Sequence, residues 1–240
     1  MIQFDGTDFS GWQQQANART VQEDLKIALR TLTGQDLKLS SSSRTDAGVH
    51  ALAMPVQFHI DSNLPLKAFV LGLNSFLPHD LRILSAEEMP EDFHARFSAL
   101  SKIYRYRILN ERIARPLERR TSWHIPVPLD LSAMNKAAAF MVGEHDFSAF
   151  RAAQCDAVNP VRHVQRIDVM KESPEIVVLE VQATGFLRNM VRILAGTLVD
   201  VGQGRHPPEW VLELLDHGDR TRGARTAPPQ GLFLVEVHYP

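Results

Sequence analysis

Arg44 and Asp46 stand two residues apart in the run Ser40 to His50, SSSSRTDAGVH. In an extended segment alternate residues share a face, so the guanidinium and the carboxylate would lie side by side. An arginine so placed holds a carboxylate ionised and fixes its rotamer. A rigidly mounted, ionised aspartate can act as a nucleophile or as a general base. Gly48 relieves the backbone where the chain turns toward the next apolar run. The same composition also describes a surface turn with an incidental ion pair, because Asp and Ser are ordinary turn residues.

Two strand-like runs, Asp36 to Leu39 and Ala51 to Ile60, flank this stretch, and connections between strands are where folds present chemistry. Upstream, Ile2 to Phe4 reads as a short strand, followed by the Gly-rich turn DGTDFSGWQQQ, in which Phe9 and Trp12 read as anchors. Thr20 is an N-cap with Glu23 placed for a capping box, and Val21, Leu25, Ala28, Leu29 and Leu32 carry helical spacing as far as Gly34. Pro65 opens a second helix with Leu66, Phe69, Val70 and Leu73 on its apolar side, and Leu81 to Leu84 is a strand. The order is β-α-β-β-α-β, the ferredoxin-like arrangement. A similar order recurs later: strand Lys102 to Asn110, helix Leu131 to Met141 capped at Asp130 or Ser132, the strand pair Val164 to Met170 and Ile176 to Ala183, helix Phe186 to Val201, and strand Gly231 to Val237. The expected fold is therefore α+β, with two ferredoxin-like domains, residues 1–95 and 96–240, and a central cleft between them as the substrate site.

Arg96, Lys102, Arg105, Arg107, Arg112, Arg115, Arg119 and Arg120 face only Glu111 and Glu118 along the same stretch. In SKIYRYRIL, Tyr104, Tyr106 and Ile108 alternate with Ile103, Arg105, Arg107 and Leu109. Aromatic and basic side chains so close together suit stacking on bases and neutralising phosphates. They suit a solvated charged face equally well. The formal charge of -2 argues against a histone-like or polybasic binder but leaves room for a locally basic cleft. One cysteine, Cys155, excludes an internal disulfide or a thiolate metal cluster, and the ten histidines form no H-E-x-x-H run. Gly202 and Gly204 lead into RHPPEW rather than a nucleotide-binding helix, and no Walker motif is present. No metal and no cofactor are expected. Apolar content of 44% and charged content of 22%, with no apolar run of membrane-spanning length and no signal-peptide pattern, lead to the expectation of a cytoplasmic protein.

Arg44, Thr45, Asp46, Gly48, Val49 and His50 resemble, residue by residue, the active-site signature of the tRNA pseudouridine synthase A family; Ser43 stands where that family has glycine. FDGTDFSGWQQQ, TVQEDL, LNSFLP with Asn74, FHARFSA, the K-x-Tyr-x-Tyr strand, HDFSAFR and FLRNMVR resemble further motifs of the family, in order along nearly the whole chain. The resemblance implies isomerisation of uridine to pseudouridine at positions 38 to 40 of the tRNA anticodon stem-loop, without metal or redox cofactor, by a homodimer that carries tRNA across both subunits. It makes Asp46 the residue that starts the reaction and Arg44 its support. Tyr104 would cover the uracil, and Leu232 would pack against it. Arg96, Arg151 and Arg192 would face RNA together with Lys102 and Arg105 of the basic stretch, although a structural ion pair remains a rival role for Arg188 and Arg192. Two other functions compete: a noncatalytic RNA-binding module, and a hydrolase using Asp46, which lacks the second carboxylate that such chemistry prefers. Glycine at position 43 suggests tight backbone approach or positive φ; with the rest of the signature intact, Ser43 is expected at ordinary φ.

Overall fold

In the computed structural model, which describes residues 1–240, the chain divides into Met1–Leu100 with Phe233–Pro240, and Ser101–Leu232. Both units are mixed α/β.

In the first unit, helix α1 (Val21–Thr33) begins where Thr20 accepts a hydrogen bond from Glu23 N and ends at Gly34, whose φ is 72°. Its apolar stripe, Val21, Leu25, Ala28 and Leu29, is buried. Strand β1 (Ile2–Phe4) runs antiparallel to β3 (His50–Met54) on one side and β5 (Leu81–Ile83) on the other. The run Ala51 to Ile60 is not one strand. Pro55 has no N–H to give a ladder, so the chain leaves β3 there and resumes as β4 (Val56–Gln57), which pairs with β2 (Ser40–Ser41) in a separate ribbon. Leu37 and Leu39 are buried but lie outside any ladder, so the strand expected at Asp36 to Leu39 does not form. The strand place beside β3 is taken by β11 (Leu232–His238), which pairs with it in parallel through Phe233 opposite His50. The sequence alone places that last strand in the second domain; its pairing with β3 groups Phe233–Pro240 with the first unit. The second helix is also irregular: a π turn at Ala68–Gly72 precedes α2 (Leu73–Phe76), with Phe69 and Leu73 buried and Leu66 exposed.

In the second unit, β6 (Ser101–Leu109), β10 (Ile176–Ala183) and β9 (Val161–Lys171) are successive antiparallel neighbours. Two strands that the sequence reading missed extend this sheet: β7 (Trp123–His124), parallel to β6, and β8 (Gly143–Asp146), antiparallel to β9. Helix α3 (Leu131–Ala139) is capped by Asp130, which accepts from Ala133 N at 3.0 Å. Helix α4 (Met190–Gly202) is buried along nearly its whole length. It starts four residues later than Phe186 because Asn189 takes a left-handed conformation, φ 61°, which no helix interior accommodates. A further helix, α5 (Trp210–His217), follows the Pro207-Pro208 pair.

Candidate active site

The Asp46 loop is held from the side by the first loop of the chain. Trp12 N donates to Thr45 O at 3.1 Å and Gly48 N donates to Phe9 O at 3.3 Å, while Val49 N closes the turn on Asp46 O at 3.2 Å. Such close approach needs glycine: a Cβ on Gly11 would lie 2.6 Å from Thr45 O, and one on Gly6 would lie 2.0 Å from Val49 O. Phe9 and Trp12 are buried and anchor the splint, as their sequence reading held. Thr45 turns inward and is buried, leaving Asp46 half-buried and Arg44 exposed on either side of it. Backbone hydrogen bonds to the first loop thus hold the backbone of the Asp46 loop in place.

Below the loop, His50 is buried and its ring stacks on Phe233, centroids 4.6 Å apart. Its Nδ1 lies 3.0 Å from Gly6 N and 3.2 Å from Asp5 Oδ1. These two contacts compete for one ring nitrogen. The amide can only donate, and Asp5 Oδ1 already accepts from Thr7 N and Oγ1, so Nδ1 is assigned as acceptor for Gly6. Asn189 is the one non-glycine residue with positive φ, so Ser43 sits at ordinary φ as expected, with Ser41 Oγ donating to its carbonyl at 2.7 Å.

Tyr104, on β6, is buried, with its ring edge-on to Phe186 at 5.0 Å. Phe186 went unnoticed as a candidate, although it opens the FLRNMVR run. Leu232 is buried at the start of β11. Tyr106 is packing: its ring fills the space left by Gly231 and its hydroxyl donates to Pro228 O at 2.6 Å. Arg192 donates from Nε to Ala227 O at 2.7 Å and from Nη1 to Asn189 Oδ1 at 2.9 Å. It thereby ties the segment before β11 to α4, over which that segment passes so closely that a Cβ on Gly196 would lie 2.0 Å from Arg225 O. Arg151 donates to Ala157 O and Arg188 to Gln154 O. Lys102 is half-buried on β6, and Arg96 is exposed, its Cζ 5.4 Å from the Phe97 ring centroid.

Three arginines of the basic stretch, Arg105, Arg107 and Arg115, are paired with carboxylates. Arg105 donates twice to Glu180 Oε2, at 3.2 and 2.9 Å, and Arg107 contacts Glu118 and Glu172 at 3.0 Å each. Arg166 reaches Glu180 at 2.7 Å and Asp168 at 2.9 Å; Arg115 pairs with Glu111 and Glu175. The register places Glu180 directly opposite Arg105 on β10 and Asp168 opposite Glu180 on β9. Arg105, expected at the RNA, is a member of a cross-strand ion-pair ladder. No group of three or more His, Cys, Asp or Glu side chains is placed to hold a metal ion. No helix is long and apolar enough to cross a membrane.

A family model described as tRNA pseudouridine synthase matches residues 1–98 and 137–240. The chain is 50% identical over 239 residues to the tRNA pseudouridine synthase A of Geotalea uraniireducens (strain Rf4), a match that covers 100% of this chain and 98% of that protein. It is 48% identical over 241 residues to the protein of the same name from Geobacter sp. (strain M21), covering 100% and 97%. The protein of that name from Thermoanaerobacter sp. (strain X514) is 42% identical over 239 residues, covering 100% and 98%. Among solved structures, the crystal structure of the archaeal box H/ACA sRNP Nop10-Cbf5 complex is similar over 84% of this chain and 53% of that one, at 10% identity and a TM-score of 0.35, too low to support a shared fold.

Proposed function

The chain belongs to the tRNA pseudouridine synthase family, and from that premise we propose that it isomerises uridine to pseudouridine at positions 38 to 40 of the tRNA anticodon stem-loop, with Asp46 starting the reaction. The observation that carries this reading is the signature from Arg44 to His50, mounted on a loop whose backbone is pinned to the first loop of the chain. The reaction breaks the bond from the sugar to uracil N1, turns the base, and joins uracil C5 to the same sugar carbon; C5 gives up its proton and N1 gains one. Nothing is oxidised or reduced. Asp46 either attacks the anomeric carbon, attacks the uracil ring, or removes a sugar proton. Arg44, exposed beside it, takes the place of the nucleotide that leaves the stack. Tyr104 and Leu232 hold the detached base between them.

Arg96, Lys102, Arg151 and Arg192 are assigned to the RNA; Arg105 is left to its ion pairs. The antiparallel strands with flanking helices in each unit support reading them as two ferredoxin-like domains. A homodimer in the cytoplasm, one tRNA lying across both subunits, completes the proposal.

Unmodified tRNA incubated with the protein and mapped nucleotide by nucleotide tests it. Pseudouridine is expected at positions 38 to 40, in an intact chain. Asp46→Asn, nearly isosteric but unable to attack or take a proton, should lose pseudouridine formation while binding tRNA within about tenfold of wild type, since phosphate contacts dominate affinity. Release of free uracil by the wild type would favour a hydrolase. Conversion by Asp46→Asn at about a tenth of the wild-type rate or more would remove Asp46 from the chemistry.

A further inference from the structure

The turn from Phe93 to Ser98 is fixed from several sides. Gln57, on β4, accepts from Ala95 N at 2.6 Å and donates to Phe93 O at 3.0 Å. Tyr239 OH donates to Ala95 O at 2.6 Å, and its ring lies 5.1 Å from that of Phe93. His94 and Ser98 close the turn on each other, His94 N to Ser98 Oγ and Ser98 N to His94 O, both at 2.9 Å. His94 Nδ1 accepts from Arg96 N at 3.0 Å and Phe97 N at 3.3 Å, which locks the imidazole against the backbone. Ala95, at the centre, is fully buried.

On this rigid support Phe97 is 75% exposed. The His94 ring stands 4.4 Å from the Phe97 ring, and the Arg96 guanidinium 5.4 Å from its centroid. An exposed phenyl contributes little to folding, and a mobile one would present no defined surface. Here the backbone is immobilised on both sides of a ring that the fold itself does not bury. An exposed aromatic ring carried on a fixed backbone, with a guanidinium over it, suits stacking of an unpaired base and neutralisation of its phosphate.

We infer that Phe97, with Arg96 and the His94 ring behind it, is a stacking platform for one unpaired nucleotide of the RNA substrate, its base on Phe97 and its phosphate toward Arg96. This rests on the reading of the chain as a tRNA-modifying enzyme. The acidic residues Glu91 and Asp92 precede the turn and disfavour a longer phosphate track there, so the platform takes a single nucleotide.

Binding of unmodified tRNA, measured as Kd at fixed salt beside single-turnover conversion, tests the platform with Phe97→Ala, Phe97→Leu, Phe97→Trp and Arg96→Gln. Phe97→Ala should weaken binding about tenfold, in line with the contribution of one base stacked on an aromatic. Most of that loss should fall in Kd rather than in the rate at saturating tRNA. Phe97→Leu, apolar but without a π face, should behave like alanine. Phe97→Trp should bind within about twofold of wild type, and Arg96→Gln should show a smaller loss that fades as salt rises. A Phe97→Ala protein that binds tRNA as well as wild type overturns the inference. So does a Phe97→Leu protein that binds normally, because any apolar side chain would then serve. Dissociation of an oligomer in Phe97→Ala, seen by sedimentation, would instead give the ring to a second copy of the chain, and a lowered melting temperature would give it to the fold. If the wild type converts tRNA and Phe97→Ala is indistinguishable from it, only the platform falls; if the wild type neither binds nor converts tRNA, the functional reading falls with it.

Discussion

Gly11 and Gly34 both have left-handed backbone, with φ 89° and 72°, yet they answer different demands. Gly34 ends α1, and a Cβ there would meet nothing within 4 Å. Gly34→Ala should therefore cost only the left-handed strain of an L-residue, about 1–2 kcal/mol, and leave conversion of tRNA as it was. Gly11 carries the same strain and a collision as well, since its Cβ would press on Thr45 O, the carbonyl that accepts from Trp12 N. Relief has to come from moving the Asp46 loop, and a displacement of about 1 Å at a reacting group is worth on the order of a hundredfold in rate. Gly11→Ala should combine a stability loss of about 1–3 kcal/mol with that fall in single-turnover rate. Urea denaturation and single-turnover conversion of both variants make the comparison. Equal activity of Gly11→Ala and Gly34→Ala would show that the first loop does not position Asp46.

Arg105 shows how an element changes the meaning of a residue. On β6 it lies opposite Glu180 of β10, which also holds Arg166 of β9, so three strands share one charge ladder. Arg105→Ala should lower stability by about 1 kcal/mol, as for a partly exposed pair, while tRNA affinity and its salt dependence stay as in wild type. A decrease of about one in the slope of log K against log salt would return Arg105 to the phosphates. The partner carboxylate lies 75 residues away in sequence, which is why a count along Arg96 to Arg120 could not find it. The same distinction separates what was legible from what was not. Helix α1, with its Thr20 cap and Gly34 stop, and the β9–β10 hairpin follow from local rules and were read correctly. The pairing of β3 with β11 joins opposite ends of the chain and leaves no local trace. The break at Pro55 and the start of α5 after Pro207-Pro208 did carry signals, which the apolar runs around them obscured. At the candidate site, the Asp46 loop was legible from its motif, whereas the splint of Gly6 and Gly11 at its side emerges only once the two loops are in contact.

At the scale of the whole molecule, each unit is closed by one phenol. Tyr106 OH reaches Pro228 O across 122 residues in the second unit, and Tyr239 OH reaches Ala95 O across 144 in the first. Burial pushes both phenols up, Tyr239 to about 12 and Tyr106 further, against the opposing pull of Arg192 and Arg225 on the latter. In the unfolded chain a tyrosine ionises near pH 10. The folded state therefore holds protons that the unfolded state has lost, and stability falls as pH rises from that point. The contribution is fully present below about pH 10 and drains away as pH climbs through about 12. Denaturant titrations at stepped alkaline pH, with the ultraviolet tyrosinate band followed alongside circular dichroism, should show the band of these two residues rising together with unfolding rather than ahead of it. Tyr239→Phe keeps the ring against Phe93 but has no proton to lose. Its stability at neutral pH should drop by about 1 kcal/mol for the missing hydrogen bond, and its slope of stability against pH above pH 10 should be shallower than that of wild type. The steeper decline in the wild type should bring the two curves together as pH rises. A wild-type protein whose tyrosinate band reaches its full height near pH 10 with the fold intact would show that neither phenol is held neutral. A Tyr239→Phe protein with an unchanged slope would leave the alkaline loss to Tyr106 alone, and the closure of the first unit to the packing of Tyr239 against Phe93.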